Sequence, residues 1–316
     1  MPSKYKYKPL SPGGIKTISL DERESKVDIE DFGKPAQKSS TFREFFNSLP
    51  DILASKDLKD LIEKIHEAQK KNKPIIFGLG AHFIKVGLNQ FLIDLMKGNF
   101  VTAISMNGAG MIHDFEIAYS GKTSEDVEKH LKDGSFGMAE ETGKLLSEAI
   151  KSGDSEELGL GESIGKFLAE KNFRYKEKSI FSRAYDLNIP VTVHMAIGTD
   201  TIHFYPDFSG ESAGRASLRD FFLLSSIMTN LEGGVYLNIG SAVILPEVFL
   251  KALTFVRNKG YPIENFTTAV FDFIHHYRPY ENVTKRPVGN KGKGYYFIGH
   301  HEIMIPLLFQ ALIEFK

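Results

Sequence analysis

Six short apolar runs, spread along the chain and mostly separated by helical patterns, constrain this sequence more than any other feature. They are PIIFGLG (74–80), FVTAISM (100–106), PVTVHMAIG (190–198), GVYLNIG (234–240), FTTAVFDF (266–273) and GYYFIG (294–299). Strands buried on both faces read as continuous apolar runs of this length. The intervening segments carry helical periodicity: TFREFFNSL (41–49), Asp57 to Asn72, 83–97, a mostly helical stretch from 110 to about 187, Leu218–Leu231, Pro246–Asn258 and His301–Phe315. Strands alternating with such helices predict an α/β fold, a Rossmann-like parallel sheet with helices on both faces. Right-handed crossovers bring the C-terminal ends of the strands to one edge.

Residues 1–40 are polar and begin MPSKYKYKPLSPGG; they read as an irregular N-terminal arm, with residues 41–316 as one domain. No apolar leader core occurs there, and the run Ile303–Phe315 is too short to span a bilayer. The expectation is a cytoplasmic protein with no membrane partner. With 39 basic and 40 acidic residues the net charge is −1, which leaves no global field for nucleic acid. The chain has no Cys, which excludes disulfides, zinc-thiolate sites, iron–sulfur clusters and a Cys nucleophile.

Glycines and polar side chains gather where the strands end, the edge at which open α/β sheets bind ligands. The sequences there are GLGAH (78–82), MNGAGMIHDFE (106–116), HMAIGTDTIHFYP (194–206), NIGSA (238–242), DFIHHYRP (272–279) and GHHE (299–302). Glycines between a strand and a helix let backbone N–H groups approach a phosphate. NGAG (107–110) departs from the G-x-G-x-x-G spacing, and a tight strand–helix turn accounts for it as well. Eight of ten histidines lie in or beside these segments. Asp114, Glu116, Asp200 and Asp272 are near them, so a metal site is chemically conceivable; no pair has the H-x-x-x-H spacing of a zinc helix. Lys285, Arg286, Lys291 and Lys293 form a basic loop that is either solvated or carries a reactive lysine.

Taken together, these segments resemble the deoxyhypusine synthase family from about residue 73 onward. GLGAHFIKVG (78–87) resembles its first strand and turn. MNGAGMIHD (106–114) resembles its NAD-binding T-T-A-G-G-x-E-E-D run. NIPVTVHMAIGTDTIHF (188–204) resembles the strand and T-D-G-S-x-G-D segment that contact cofactor and amine. YLNIGSAVILP (236–246), TTAVFDFIHHYRPYENVTK (267–285) and HEIMIPLLFQALIEF (301–315) follow in the family's order. The chain departs from the pattern at Ile112 and His113, which stand for paired glutamates. It also lacks Trp, so the family's Trp-Gly-Lys segment is absent and Lys285 is the nearest lysine.

The resemblance implies NAD as cofactor, a small-molecule amine substrate, a possible protein lysine as acceptor and a homotetramer with sites at subunit interfaces. The activity implied is NAD-dependent transferase chemistry, an aminobutyl group passing from a polyamine through an enzyme lysine. Carried over residue by residue, it implies Lys285 and His113 as catalytic. Asn107, Gly108, Gly110, Asp114, Thr199, Asp200 and Ala269 would bind cofactor, and Glu116, His203 and Asp272 substrate, with no metal. Two alternatives stay open: a metal-dependent hydrolase or lyase at the His-rich edge, and a catalytically inactive nucleotide-binding homologue.

Overall fold

The computed structural model describes residues 3–315. Residues 3–40 hold two short 3₁₀ turns, Leu20–Glu22 and Ile29–Asp31, and are exposed almost throughout. From there the elements are α1 (Phe42–Ser48), α2 (Leu53–Lys70), β1 (Ile75–Leu79), α3 (His82–Lys85), α4 (Asn89–Lys97), β2 (Ala103–Asn107) and α5 (Gly108–Ser120). A helical layer follows: α6 (Val127–Leu131), α7 (Glu140–Ser155), α8 (Leu160–Glu170) and α9 (Ile180–Asp186). The chain then runs β3 (Val191–His194), α10 (Gly210–Met228), β4 (Val235–Ile239), α11 (Ile244–Asn258), β5 (Thr267–Asp272), α12 (Tyr277–Pro279), β6 (Lys293–Ile298) and α13 (His301–Glu314).

All six expected strands form, in one wholly parallel sheet of order β3-β2-β1-β4-β5-β6. That order is the doubly wound one, with its topological switch between β1 and β4. The pleat sorts the side chains. Ile75, Phe77 and Leu79 pack into a core shared with α2, α4, α5 and α13, while Ile76 meets Tyr236, Val270, α10 and α11 on the opposite face. Each fully buried side chain of this size contributes roughly 1.5–3 kcal/mol. A slip of one residue would exchange the two faces, so the register is firmly set. Among the described residues no helix is long and apolar enough to cross a membrane.

Three expected elements differ. The helix read over Leu218–Leu231 begins at Gly210 and ends at Met228. The helix anticipated over 83–97 is broken into α3 and α4, because the chain turns through Gly87 at φ +77°. The third strand stops at His194 rather than 198. Met195 N–H donates to Ser217 Oγ (3.1 Å), and Gly198 at φ +92° turns the chain out of the sheet.

Buried carboxylates cap helices from a distance. Asp114, on α5 and fully buried, accepts from Asn89 Nδ2 (3.1 Å), Ser179 Oγ, Ile180 N (2.8 Å) and Phe181 N (3.1 Å), thereby capping α9. Asp220, on α10 and also fully buried, accepts from Gly161 N (2.8 Å) and Val193 N (2.7 Å), joining the start of α8 to β3. Both satisfy N–H groups that a helix leaves unpaired at its start, and both carry the charge a helix N-terminus favours. Burial nevertheless pushes their carboxyl groups up, Asp114 to about 6 and Asp220 to about 7, against the pull of these donors.

Candidate functional site

Beside the C-terminal ends of β2 and β3 lies a cavity of about 710 Å³. Its polar lining includes His113, Glu116, Thr123, Thr142, Thr199 and Asp200. No loop separates β2 from α5. Asn107 ends the strand and caps the helix, its Oδ1 accepting from Gly110 N (3.0 Å). His113 and Glu116, three residues apart, then share one face of α5.

The end of α5 completes the arrangement. Gly121 adopts φ +72°, where a Cβ would also meet the Tyr175 ring at 2.8 Å, and the chain doubles back. Thr123 thereby reaches His113 Nδ1 (2.6 Å) and donates its hydroxyl proton to Glu116 Oε2. A hydroxyl that donates to the carboxylate accepts from the ring, so Nδ1 carries hydrogen and Nε2 is the basic nitrogen. His113 Nδ1 also lies 3.5 Å from Glu116 Oε2, and Thr142 Oγ donates to Glu116 Oε1 (3.3 Å). Burial pushes the Glu116 carboxyl up, but the hydrogen bonds from His113 and Thr123, the His113 charge and Thr142 outweigh it and hold Glu116 below its ordinary value.

Asp200 supplies a second carboxylate. It is 8% exposed, and its Oδ2 is buried with no hydrogen-bond partner. Burial pushes this group up to about 6, with the His113 charge and the Thr199 hydroxyl opposing. The carboxylate sits against the start of α5: a Cβ on Gly108 would lie 2.1 Å from Asp200 Oδ2. His203 stands behind it. Its Nδ1 accepts from Gly198 N (3.1 Å) and Asp200 N (3.3 Å), and its Nε2, also buried without a partner, faces Asp200 Oδ2 at 4.0 Å. Burial lowers the His203 pKa.

The residues expected to form one site therefore separate into groups. His113, Glu116, Thr199 and Asp200 line the cavity, with Gly108 and His203 packed around Asp200. Asn107 and Gly110 form the helix start. Asp114 points away into its capping role. Ala269 is buried in the middle of β5, between Leu237 and Tyr295. Asp272, at the end of β5, accepts from Phe273 N (2.9 Å) and lies 3.7 Å from His276 Nε2. Strand β5 is three places from β2, or ~14 Å at the usual strand spacing. Lys285 ends a π-helical turn, Tyr280–Lys285, beyond β5; its Nζ lies 5.1 Å from the Tyr280 ring centroid and it does not line the cavity. Tyr280 raises the Lys285 pKa, whereas a nucleophilic lysine needs it lowered.

Thr123, Thr142, Lys85 and Lys122 line the cavity without having been singled out in the sequence. Thr123 carries a readable signal, since it follows a glycine that ends a helix. Thr142 comes from α7 and Lys85 from α3, and tertiary packing alone brings them here. At the opposite end of the strand edge, His82, Phe273 and His301 pack ring against ring with centroids 5.5–5.7 Å apart. Among the described residues no group of three or more His, Asp or Glu is placed to hold a metal ion.

No protein-family model matches the chain, and no curated protein matches it in sequence. Solved structures do match in fold. ArgZ, an arginine dihydrolase from the ornithine-ammonia cycle in cyanobacteria, aligns with TM-score 0.52 at 15% identity, over 84% of this chain and 34% of its own. The ternary complex of AgrE with ornithine and NAD+ gives TM-score 0.53 at 11% identity, over 83% and 33%. A candidate deoxyhypusine synthase from Entamoeba histolytica gives 0.51 at 13% identity, over 89% and 96%. This chain thus spans about a third of the length of ArgZ and AgrE. At these identities the likeness is one of fold: a six-stranded parallel α/β sheet of the kind found in deoxyhypusine synthase-like and NAD-binding proteins.

Proposed function

We propose that the cavity beside α5 binds a primary amine and that His113 exchanges a proton with it. The observation that carries this reading is a cavity lined by two poorly exposed carboxylates, Glu116 and Asp200, together with a histidine whose tautomer is fixed by Thr123. An ammonium group in the cavity would face the Glu116 and Asp200 carboxylates, whose negative charge attracts it. Glu116 orients His113 through Thr123 and stabilises the imidazolium once Nε2 has taken a proton. Removing that proton leaves the amine neutral, the form in which it reacts. This is an enzyme reading, in keeping with the fold's resemblance to deoxyhypusine synthases.

NAD is the cofactor which that resemblance implies, and it would serve as a hydride acceptor. A pyrophosphate does not fit either glycine turn as they stand. The space at Gly108 is filled by the Asp200 carboxylate, which would also repel a phosphate. The space at Gly80 is filled by the Gly240 carbonyl, 2.0 Å from where a Cβ would lie. Aminobutyl transfer through Lys285 has weaker support than amine binding, because that lysine is exposed and held protonated by Tyr280.

Calorimetric titration with spermidine and with 1,4-diaminobutane tests the reading. Replacing Glu116 by Gln removes a charged partner worth ~1.5–3 kcal/mol, so affinity should fall roughly 10- to 150-fold. Unchanged affinity in Glu116→Gln would refute amine binding at this cavity. Absorbance of NADH, followed in the same mixtures with NAD added, reports whether oxidation accompanies binding.

A further inference from the structure

The polar groups of the cavity are nearly shut in: the side chains of His113, Glu116 and Asp200 are 14%, 23% and 4% exposed. One wall is the segment 122–139, which contributes Thr123, Glu125, Val127 and Phe136 to the lining. This segment is built apart from the core. Gly137 is its one buried residue, and Val127, Leu131 and Met138 are exposed. Its hydrogen bonds are mostly internal: Lys129 N donates to Asp126 Oδ1 (3.1 Å), Phe136 N to His130 O (3.1 Å) and Gly137 N to Glu125 Oε1 (2.8 Å). The last of these ties its two ends together. Among the described residues no hydrogen bond or ion pair joins 124–136 to anything outside the segment.

The segment is held at its ends. At one end Thr123 meets His113 and Glu116. At the other the Tyr205 hydroxyl lies 2.9 Å from Gly137 O and 2.8 Å from Ala139 O, and its single proton serves both carbonyls. The Tyr205 ring covers Gly143 of α7, and Gly137 packs on Thr201, the neighbour of Asp200. Between the two ends Ser124 holds φ +66°, a left-handed conformation disfavoured for a residue with a Cβ. Such strain persists only where the surroundings enforce it, and here Thr123 and Glu125 are tied on either side. We propose that residues 122–139 form a lid, hinged at Gly121 and at the start of α7 and latched by Tyr205, whose closure brings Thr123 onto His113 and Glu116. A segment with so little buried apolar surface lies at the low-stability end of a fold, where lids are found. Opening withdraws Thr123, frees His113 Nδ1 and uncovers Glu116; closing restores the Nδ1–H tautomer. Tyr205 is thus a positioning residue that acts through Thr123. The lid stands on these contacts, and its consequence for proton exchange rests on the amine-binding reading above.

The chain has no cysteine, so two introduced cysteines carry nitroxide labels without background. Lys129→Cys on the lid and Lys151→Cys on α7 replace exposed residues, and pulsed electron paramagnetic resonance reads the distance between them. The pair is measured alone, with Tyr205→Phe and with Ser124→Gly. The expected result is one dominant distance with the latch intact and a second, distinct distance in Tyr205→Phe. Loss of the hydroxyl's hydrogen bonding should raise the open-to-closed ratio about five-fold. Ser124→Gly relieves the strain of the closed lid and should lower that ratio. In protein carrying isotope-labelled histidine, the His113 resonances are identified by their loss in His113→Gln. They should report Nδ1–H with the latch intact and move toward the Nε2–H tautomer in Tyr205→Phe, in step with the second distance. A single unaltered distance in Tyr205→Phe, with circular dichroism unchanged, overturns the lid. A second distance with an unaltered His113 tautomer overturns the link between closure and proton exchange. Should Tyr205→Phe fail to fold, Ser124→Gly decides, and an open fraction that it does not lower overturns the strained closed state. Absence of amine binding by calorimetry, with both lid readouts as expected, overturns the amine reading and leaves the lid standing.

Discussion

The contact between Gly108 and Asp200 yields a prediction whose sign reverses with context. Gly108 is the first residue of α5, and a Cβ there would sit 2.1 Å from Asp200 Oδ2 and 2.8 Å from its Cγ. Ordinary contact begins near 3.4 Å, so the carboxylate must retreat by more than 1 Å. Asp200 is buried and held in a turn whose backbone donates to His203 Nδ1, so the retreat moves the segment and not only a side chain. Overpacking of this kind costs roughly 1–3 kcal/mol. Against it stands the ordinary gain of replacing a helical glycine by alanine, about 0.5–1 kcal/mol. The clash wins, and Gly108→Ala should destabilise by about 1–2 kcal/mol. In an Asp200→Ala background the obstacle is gone and the same substitution should stabilise by up to about 1 kcal/mol. Urea denaturation of the four proteins of this double-mutant cycle gives the coupling directly, expected at about 1–3 kcal/mol. A coupling near zero, or a stabilising Gly108→Ala in the wild-type background, would show that Asp200 does not rest on α5 and would reopen that helix end to a phosphate.

Other expectations follow from the same geometry. Asp114→Ala strips four donors of their acceptor, including the buried N–H groups of Ile180 and Phe181, and should cost about 3–5 kcal/mol in a denaturation midpoint series, whereas a cofactor-binding role would lower ligand affinity and spare stability. Because burial raises Asp200 to about 6, its negative charge is present above that pH and lost as pH falls through it; amine affinity should therefore drop between about pH 7 and 5, and Asp200→Asn should flatten that drop. Lys285→Ala should leave amine affinity unchanged in a calorimetric titration, and any NAD-dependent turnover that survives the substitution excludes a covalent step at that lysine.

The strands were legible because each is a continuous apolar run that only a doubly covered sheet can bury, as Ile75 to Leu79 show. Their C-terminal edge followed from connection handedness. What local sequence could not supply was rotation and distance. Asp114 is one residue from His113 on α5, a turn of about 100°. That turn sends the histidine to the cavity and the aspartate into the cap of α9. Glu116 stands in the segment that follows a strand, and the structure adds the reason it faces His113, namely Thr123 folding back beyond Gly121. Lys285 follows an Arg-Pro pair in sequence, but β5 carries it to the other side of the switch point from β2. Thr142 and Lys85 enter from α7 and α3, and no spacing rule within one element would find them.

The long-range carboxylate caps have a consequence for the order in which this chain acquires structure. The start of α9 is satisfied by a residue 66 positions earlier, and the start of α8 by one 59 positions later. Ser179 Oγ caps Ser182 N within α9 itself, but among the described residues the N–H groups of Ile180 and Phe181, and of Gly161 in α8, are met only by these distant carboxylates, and closing loops of that size must precede any reward from the contact. Helices α8 and α9 are thus consolidated late, after β2 with α5 and β3 with α10 have come together. Once closed, the same caps tie the helical layer to the sheet as one cooperative unit. Amide protons in α8 and α9 should then exchange with solvent only when the sheet itself opens.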